Sequence, residues 1–175
     1  MKITVKDMII CGLFVSITAL LAQIAIPLPF STVPITMQVF AVVLTGVVLG
    51  SKRGFISQII YILLGSIGIP VFTQLSGGFH LIVGYTGGFI LSFPLIAALM
   101  GYISYKTDKL YYMILGVIGS MIINYGLGAM QYAFLAQVTL KDALIVCVAP
   151  FIVVDIIKYI AAITIGLTLK KRLKL

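Results

Sequence analysis

The 175 residues are 62% hydrophobic and 9% charged, with a mean hydropathy of +1.24. A soluble domain carries roughly a quarter of its residues as Asp, Glu, Lys or Arg; a chain with four acids, all aspartate, and neither Glu nor Trp is excluded as a water-solvated globule. The net charge of +8 comes from short basic clusters between long apolar runs, with no basic stripe interleaved with aromatics, so it reads as membrane topology and not as nucleic-acid binding.

The length gives a single membrane domain, 1–175, short for a self-contained secondary transporter, which points to a partner or an oligomer. Met1 to Ala25 carries Lys2 and Lys6 ahead of an apolar run, as a signal peptide does, but the rest is equally apolar, so a retained first helix is expected. Cys11 and Cys147 lie far apart in apolar stretches and read as buried thiols.

A bilayer core takes about 20 apolar residues per helix at ~1.5 Å each. The first helix is expected over Met8 to Ile26, stopped by Pro27 and Pro29, because proline removes a donor and disfavours helix at the residue before it. A loop, Pro27 to Pro34, leads to a second helix over Ile35 to Leu49. A short turn, Gly50 to Gly54, precedes a third over Phe55 to Ile67. Gly68 to Gly84 is Gly-rich. A fourth helix is expected over Tyr85 to Tyr105, a fifth over Tyr111 to Leu135 and a sixth over Pro150 to Leu169. The fold class is an all-α integral membrane protein, a bundle of six transmembrane helices.

The basic residues orient this bundle. With the N-terminus cytoplasmic, six spans place the 50–54 turn, the 106–109 turn and the C-terminus inside as well. Ten bases then lie inside: Lys2, Lys6, Lys52, Arg53, Lys106, Lys109, Lys170, Lys171, Arg172 and Lys174. Only Lys141 lies in an outside loop, a strong positive-inside bias. The expected location is a cell membrane, crossed several times. On the outer side, Gly68 to Gly84 runs 17 residues without an acid, Lys or Arg. Irregular backbone near membrane depth is tolerated where it is buried in protein or lines a cavity, so this segment reads as a lid or wall over an outward-facing site.

Asp155 and Lys158 lie within an apolar run, spaced i, i+3 on one helix face. Ionised groups at such depth face the bundle interior and mark a substrate or ion path. If Pro150 opens the helix, Asp155 sits ~6 Å along the axis from Phe151 and Lys158 ~4–5 Å deeper. The pair offers donors and acceptor oxygens together, which suits a cyclic urea or amide and not a bare metal cation. Phe30, Phe72, Phe79, Tyr85, Phe89, Tyr132 and Phe151 are candidates for an apolar wall. Gly12, Ser16 and Ala19 form a smooth stripe on the first helix, as do Gly46 and Gly50, and Gly116 and Ser120, further on; such stripes serve internal packing or docking to another membrane subunit. No phosphate-binding loop motif, His-Glu-x-x-His or nucleophile–base set is present, so no enzyme and no metal site is expected.

Ordered motifs then carry a resemblance. Ile26-Pro27-Leu28-Pro29-Phe30, Val33-Pro34-Ile35-Thr36-Met37-Gln38, Leu49-Gly50, Gly68-Ile69-Pro70-Val71-Phe72, Gly84-Tyr85-Thr86-Gly87-Gly88-Phe89, and Pro150-Phe151 with Asp155 and Lys158 closely resemble the BioY family. These are biotin-specific S components of energy-coupling factor (ECF) vitamin transporters. The match runs over roughly 20–103 and 149–160; Tyr85 departs from it, standing where the family has proline.

The resemblance implies a biotin-binding bundle with no cofactor, placed as a multi-pass protein in a bacterial cell membrane. It also implies a partner module of a transmembrane coupling protein and two cytoplasmic ATPases, with Gly12, Ser16 and Ala19 as the docking stripe. For biotin, Asp155 is expected to accept from a ureido N–H and Lys158 to donate to the ureido oxygen, or to pair with the carboxylate instead. Gln38 and Gln74 are further polar candidates. Gly77, Gly78 and Thr86 would offer backbone N–H groups to the carboxylate tail or close over the ligand, and Tyr85 and Phe79 are further substrate-site candidates. An S component for thiamine or riboflavin, a stand-alone carrier relaying a proton through Asp155 and Lys158, and a non-transporting assembly protein are the competing readings.

Overall fold

The computed structural model describes residues 4–29, 31–107 and 109–173. Phe30, Lys2 and Lys174 therefore lie outside the described residues. The chain begins with α1 (Val5–Ala22), followed by an antiparallel hairpin of β1 (Ala25–Leu28) and β2 (Ser31–Thr36). Helices α2 (Gln38–Leu49) and α3 (Ser51–Ser66) come next, then a 3-10 turn at Thr73–Leu75 and the single turn α4 (Phe79–Ile82). The rest is α5 (Gly87–Lys106), α6 (Leu110–Ala136), α7 (Leu140–Cys147) and α8 (Ile152–Leu173). Helices α1, α5, α6 and α8 are long and apolar enough to cross a membrane.

The axis of the bundle is α2, of whose 12 residues 11 are buried. A helix apolar all round belongs inside, and α2 packs on α1, α3, α5 and α8. Glycine makes this crowding feasible. A Cβ on Gly46 would run into the Ala97 backbone of α5, and one on Gly101 into the Gly50–Ser51 backbone. The Gly46–Gly50 and Gly116–Ser120 stripes thus serve packing inside the chain: a Cβ on Gly116 would strike Ile103 of α5.

Several expected boundaries are corrected. The first helix ends at Ala22, not Ile26, and the 27–34 loop is a hairpin. Apolar residues 24–28 continue the hydropathy of α1, which hid the change of period. Pro27 sits where the register shifts between Ile26 and Leu28, the kind of place a strand tolerates proline. The 50–54 turn shrinks to Gly50 alone, whose φ of 82° is open to glycine and strained for other residues. The polar 137–142 stretch and the apolar run after it contain α7, capped by Thr139, whose Oγ1 accepts from the Asp142 N–H at 3.2 Å. Helix α8 starts at Ile152, two residues after Pro150, and runs on to Leu173.

The ends of the bundle differ in charge. Lys6, Lys52, Arg53, Lys106, Lys109 and the 170–172 cluster gather at one end. There Arg53 pairs with Asp7 at 2.8 Å, and Lys170 reaches the Ser104 carbonyl. Of the described lysines and arginines, only Lys141 and Lys158 belong to the other half.

Candidate functional site

At that opposite end the hairpin, the 68–86 segment and helices α2, α5, α6 and α8 enclose a cavity of about 190 Å³. Its closed end is built by α8. The first turn of this helix holds Asp155, whose carboxylate is stabilised there by the positive end of the helix dipole. One turn on, Lys158 places Nζ 2.9 Å from Asp155 Oδ1. From α6, the Tyr125 hydroxyl donates to Asp155 Oδ2 at 2.8 Å. All three residues are at most 9% exposed, so the ions are out of bulk water and hold each other. Each carboxylate oxygen carries one protein donor and keeps a further lone pair; Lys158 keeps two of its three donors. The closed end therefore presents acceptors and donors side by side.

Asn124, on α6 beside Tyr125, lines the same end and accepts from Ser92 Oγ through Oδ1 at 2.8 Å, leaving its NH₂ donors for the cavity. Gln38, at the start of α2, lines the cavity too. Its Nε2 donates to Tyr61 Oη at 2.8 Å, and its Oε1 accepts from Thr36 and Thr73 hydroxyls at 3.1 Å each. One side chain thus ties the hairpin, α3 and the 68–86 segment together. Phe72, Phe89, Phe93 and Phe151 supply apolar wall. Toward the rim lie Thr36, Thr73, Gln74, Ser76 and Thr86, all less buried than the charged pair.

The 68–86 segment is a wall, contributing Phe72, Thr73, Gln74, Ser76 and Leu81 to the lining. Two more glutamines fasten it. Gln23, the residue that caps the end of α1, donates to the Phe72 carbonyl at 3.0 Å and accepts from the Leu75 N–H at 2.7 Å. Gln131 of α6 donates to the carbonyls of Ile82 and Gly84, both at 2.8 Å.

Of the residues singled out from sequence, the structure brings Asp155, Lys158, Gln38, Gln74 and Thr86 to one cavity. It puts Phe79, Tyr85, Gly77 and Gly78 outside the lining. Phe79 is 63% exposed, and Tyr85 packs its ring against Tyr132 at 5.4 Å. The Gly78 N–H is spent on the Gly65 carbonyl at 2.7 Å, and a Cβ on Gly77 would meet the Gly68–Ile69 backbone. Both glycines serve the turn of the segment, which is why they looked functional. Gly87 and Gly88 are likewise committed to close packing, against Ile82 and Leu127.

Sequence reading missed Asn124 and Tyr125, although a signal existed. Asn124 is the sole asparagine of the chain and sits mid-way along a 27-residue apolar helix, where a polar residue is costly and tends to be functional.

Comparison with known proteins fits this geometry. The model of the BioY family matches residues 1–175. The chain belongs to the BioY family. Among BioY relatives, the probable biotin transporter BioY of Pyrococcus horikoshii is 41% identical over 166 residues, covering 92% of this chain and 94% of its own. The biotin transporter BioY of Thermotoga maritima is 38% identical over 167 residues, covering 95% and 96%. The crystal structure of the S-component for biotin from an ECF-type ABC transporter superposes with a TM-score of 0.87 at 28% identity, over 95% of this chain and 92% of that one. FolT bound with folic acid shares the fold alone, with a TM-score of 0.65 at 16% identity over 95% and 92%. Membership makes the chain a multi-pass membrane protein of a transporter family.

The carboxylate geometry gives a first expected outcome. Tyr125→Phe removes the donor to Asp155 Oδ2 and lets the carboxylate rotate. A hydrogen bond to a charged group contributes about 1.5–3 kcal/mol, so ligand affinity should drop roughly tenfold to a hundredfold. Titration calorimetry on the detergent-purified variant measures this, and an unchanged affinity rejects the orienting role.

Proposed function

We propose that this chain is the biotin-binding S component of an ECF-type importer. It captures biotin from outside and delivers it inward with a coupling protein and two cytoplasmic ATPases. The observation that carries the reading is the buried Asp155–Lys158–Tyr125 cluster at the closed end of an otherwise largely apolar cavity. A cyclic urea has N–H groups for the free carboxylate lone pairs and a carbonyl oxygen for the free ammonium protons. The FolT likeness indicates why the fold alone does not choose the vitamin; the cavity lining does.

In this reading six helices, α1, α2, α3, α5, α6 and α8, cross or enter the membrane, and α2 gains depth from the hairpin ahead of it. Both termini are cytoplasmic, which the gathering of bases at the end away from the cavity supports. Docking of the coupling protein to α1 draws support from Gly12 and Ser16. Both are exposed, and a Cβ on Gly12 would meet nothing within 4 Å. Ala19 is partly buried against the core and belongs to that stripe only at its edge. The protein is a binding subunit and not an enzyme.

The test is calorimetry with biotin, thiamine and riboflavin on purified protein. Biotin should bind at one site per chain and the other two should not. Preferential binding of thiamine or riboflavin would overturn the assignment.

A further inference from the structure

The cavity holds a single cation, Lys158, among its described lining residues, and that cation is already paired with Asp155. The net charge at the closed end is therefore zero. A ligand carboxylate brought to Lys158 would also lie beside the Asp155 carboxylate, so attraction and repulsion largely cancel. Elsewhere the described lining residues offer only neutral groups. The rim has the hydroxyls of Thr36, Thr73, Ser76 and Thr86 and the amide of exposed Gln74. The Gly78 N–H is consumed by Gly65, and Gly87 bonds Gly84.

Size points the same way. Pockets that enclose drug-sized ligands span about 300–1,000 Å³, whereas this one is about 190 Å³. It accommodates a compact bicycle at the closed end and leaves a flexible acid chain toward the rim.

We infer that the site, taken as a biotin site, recognises the ureido ring and is indifferent to the charge of the valeryl carboxylate, so that neutral carboxyl-derivatised biotins are ligands too. This rests on the proposed biotin reading and adds the ligand class. The polar chemistry is concentrated where burial makes it selective: a buried polar group left unpaired discriminates strongly between ligands, whereas a water-exposed one does not. The acid end stays in water and gains nothing there that an amide would lose.

The experiment is competition calorimetry on the detergent-purified, unmodified chain with biotin, biotinamide and 2-iminobiotin. Biotinamide, with a neutral tail, is expected within tenfold of biotin. Iminobiotin, which replaces the ureido oxygen with a nitrogen that takes up a proton, is expected to lose at least a hundredfold, because Lys158 then faces a donor. A loss above tenfold for biotinamide overturns the inference while biotin binding stands. Iminobiotin binding as well as biotin overturns it as well, by removing the ring from the charged pair. Failure of biotin itself to bind brings down the parent reading, and this one with it.

Discussion

Asp155→Asn lowers biotin affinity at least a hundredfold, about 2.7 kcal/mol, while the protein still inserts. The change removes the full negative charge that holds both Lys158 and Tyr125 and replaces one acceptor oxygen with an NH₂. A ureido N–H then meets a donor. Loss of affinity alone does not separate a binding pair from a packing pair, because removing one partner of a buried ion pair costs about 3–5 kcal/mol of stability. A second variant separates them. Tyr125→Phe with Asp155→Leu and Lys158→Met removes both charges and the hydroxyl that would be orphaned. Replacing a buried pair by apolar side chains of similar volume is often neutral or stabilising. This triple variant should therefore stay monodisperse after heating at least as well as the original chain, yet show no heat with biotin. Retained biotin binding in it would reduce the pair to packing.

Asp155 and Lys158 were legible in the sequence because ionised groups stand out against an apolar background, and their i, i+3 spacing fixed a shared face. Their partner was not, because Tyr125 reaches them from 30 positions away on α6, and tertiary proximity of that kind leaves no periodicity. The four long apolar helices were legible to within a few residues at most ends, since proline and basic turns interrupt hydropathy. The hairpin and α7 were not, because hydropathy reads apolar character without reading period over runs so short. Gly77 and Gly78 read from sequence as ligand-facing backbone, whereas in the fold they serve the turn of the segment; composition marks where a chain bends, and tertiary contacts decide what the bend holds. Gln23 at the C-cap of α1, Gln38 of α2 and Gln131 of α6 fasten the 68–86 segment to three parts of the bundle, a pattern invisible without the fold.

That fastening makes Gly65 a sensitive position far from the charged pair. Gly65 is buried on α3, and its carbonyl accepts the N–H groups of Gly68 and Gly78, so the segment is seated on it. A Cβ at 65 would overlap the ring of Phe72, which is 2% exposed and packs edge-on to Tyr61 at 5.4 Å. Tyr61 in turn donates to the Val71 carbonyl at 3.0 Å and accepts from Gln38 at 2.8 Å. Gly65→Ala therefore pushes the apolar wall into or away from the cavity and pulls Thr73 off Gln38. Overpacking of this kind costs about 1–3 kcal/mol. Biotin affinity should fall roughly tenfold to a hundredfold, mostly through faster dissociation, because related interfaces differ chiefly in their off-rates. Adding Phe72→Ala removes the overlap, so the two changes should be non-additive in thermal stability. Affinity should not return, since the wall is then missing. An alanine at 65 with unaltered melting and unaltered dissociation would show that the segment adjusts without moving the cavity wall, and would break the link from α3 to the site.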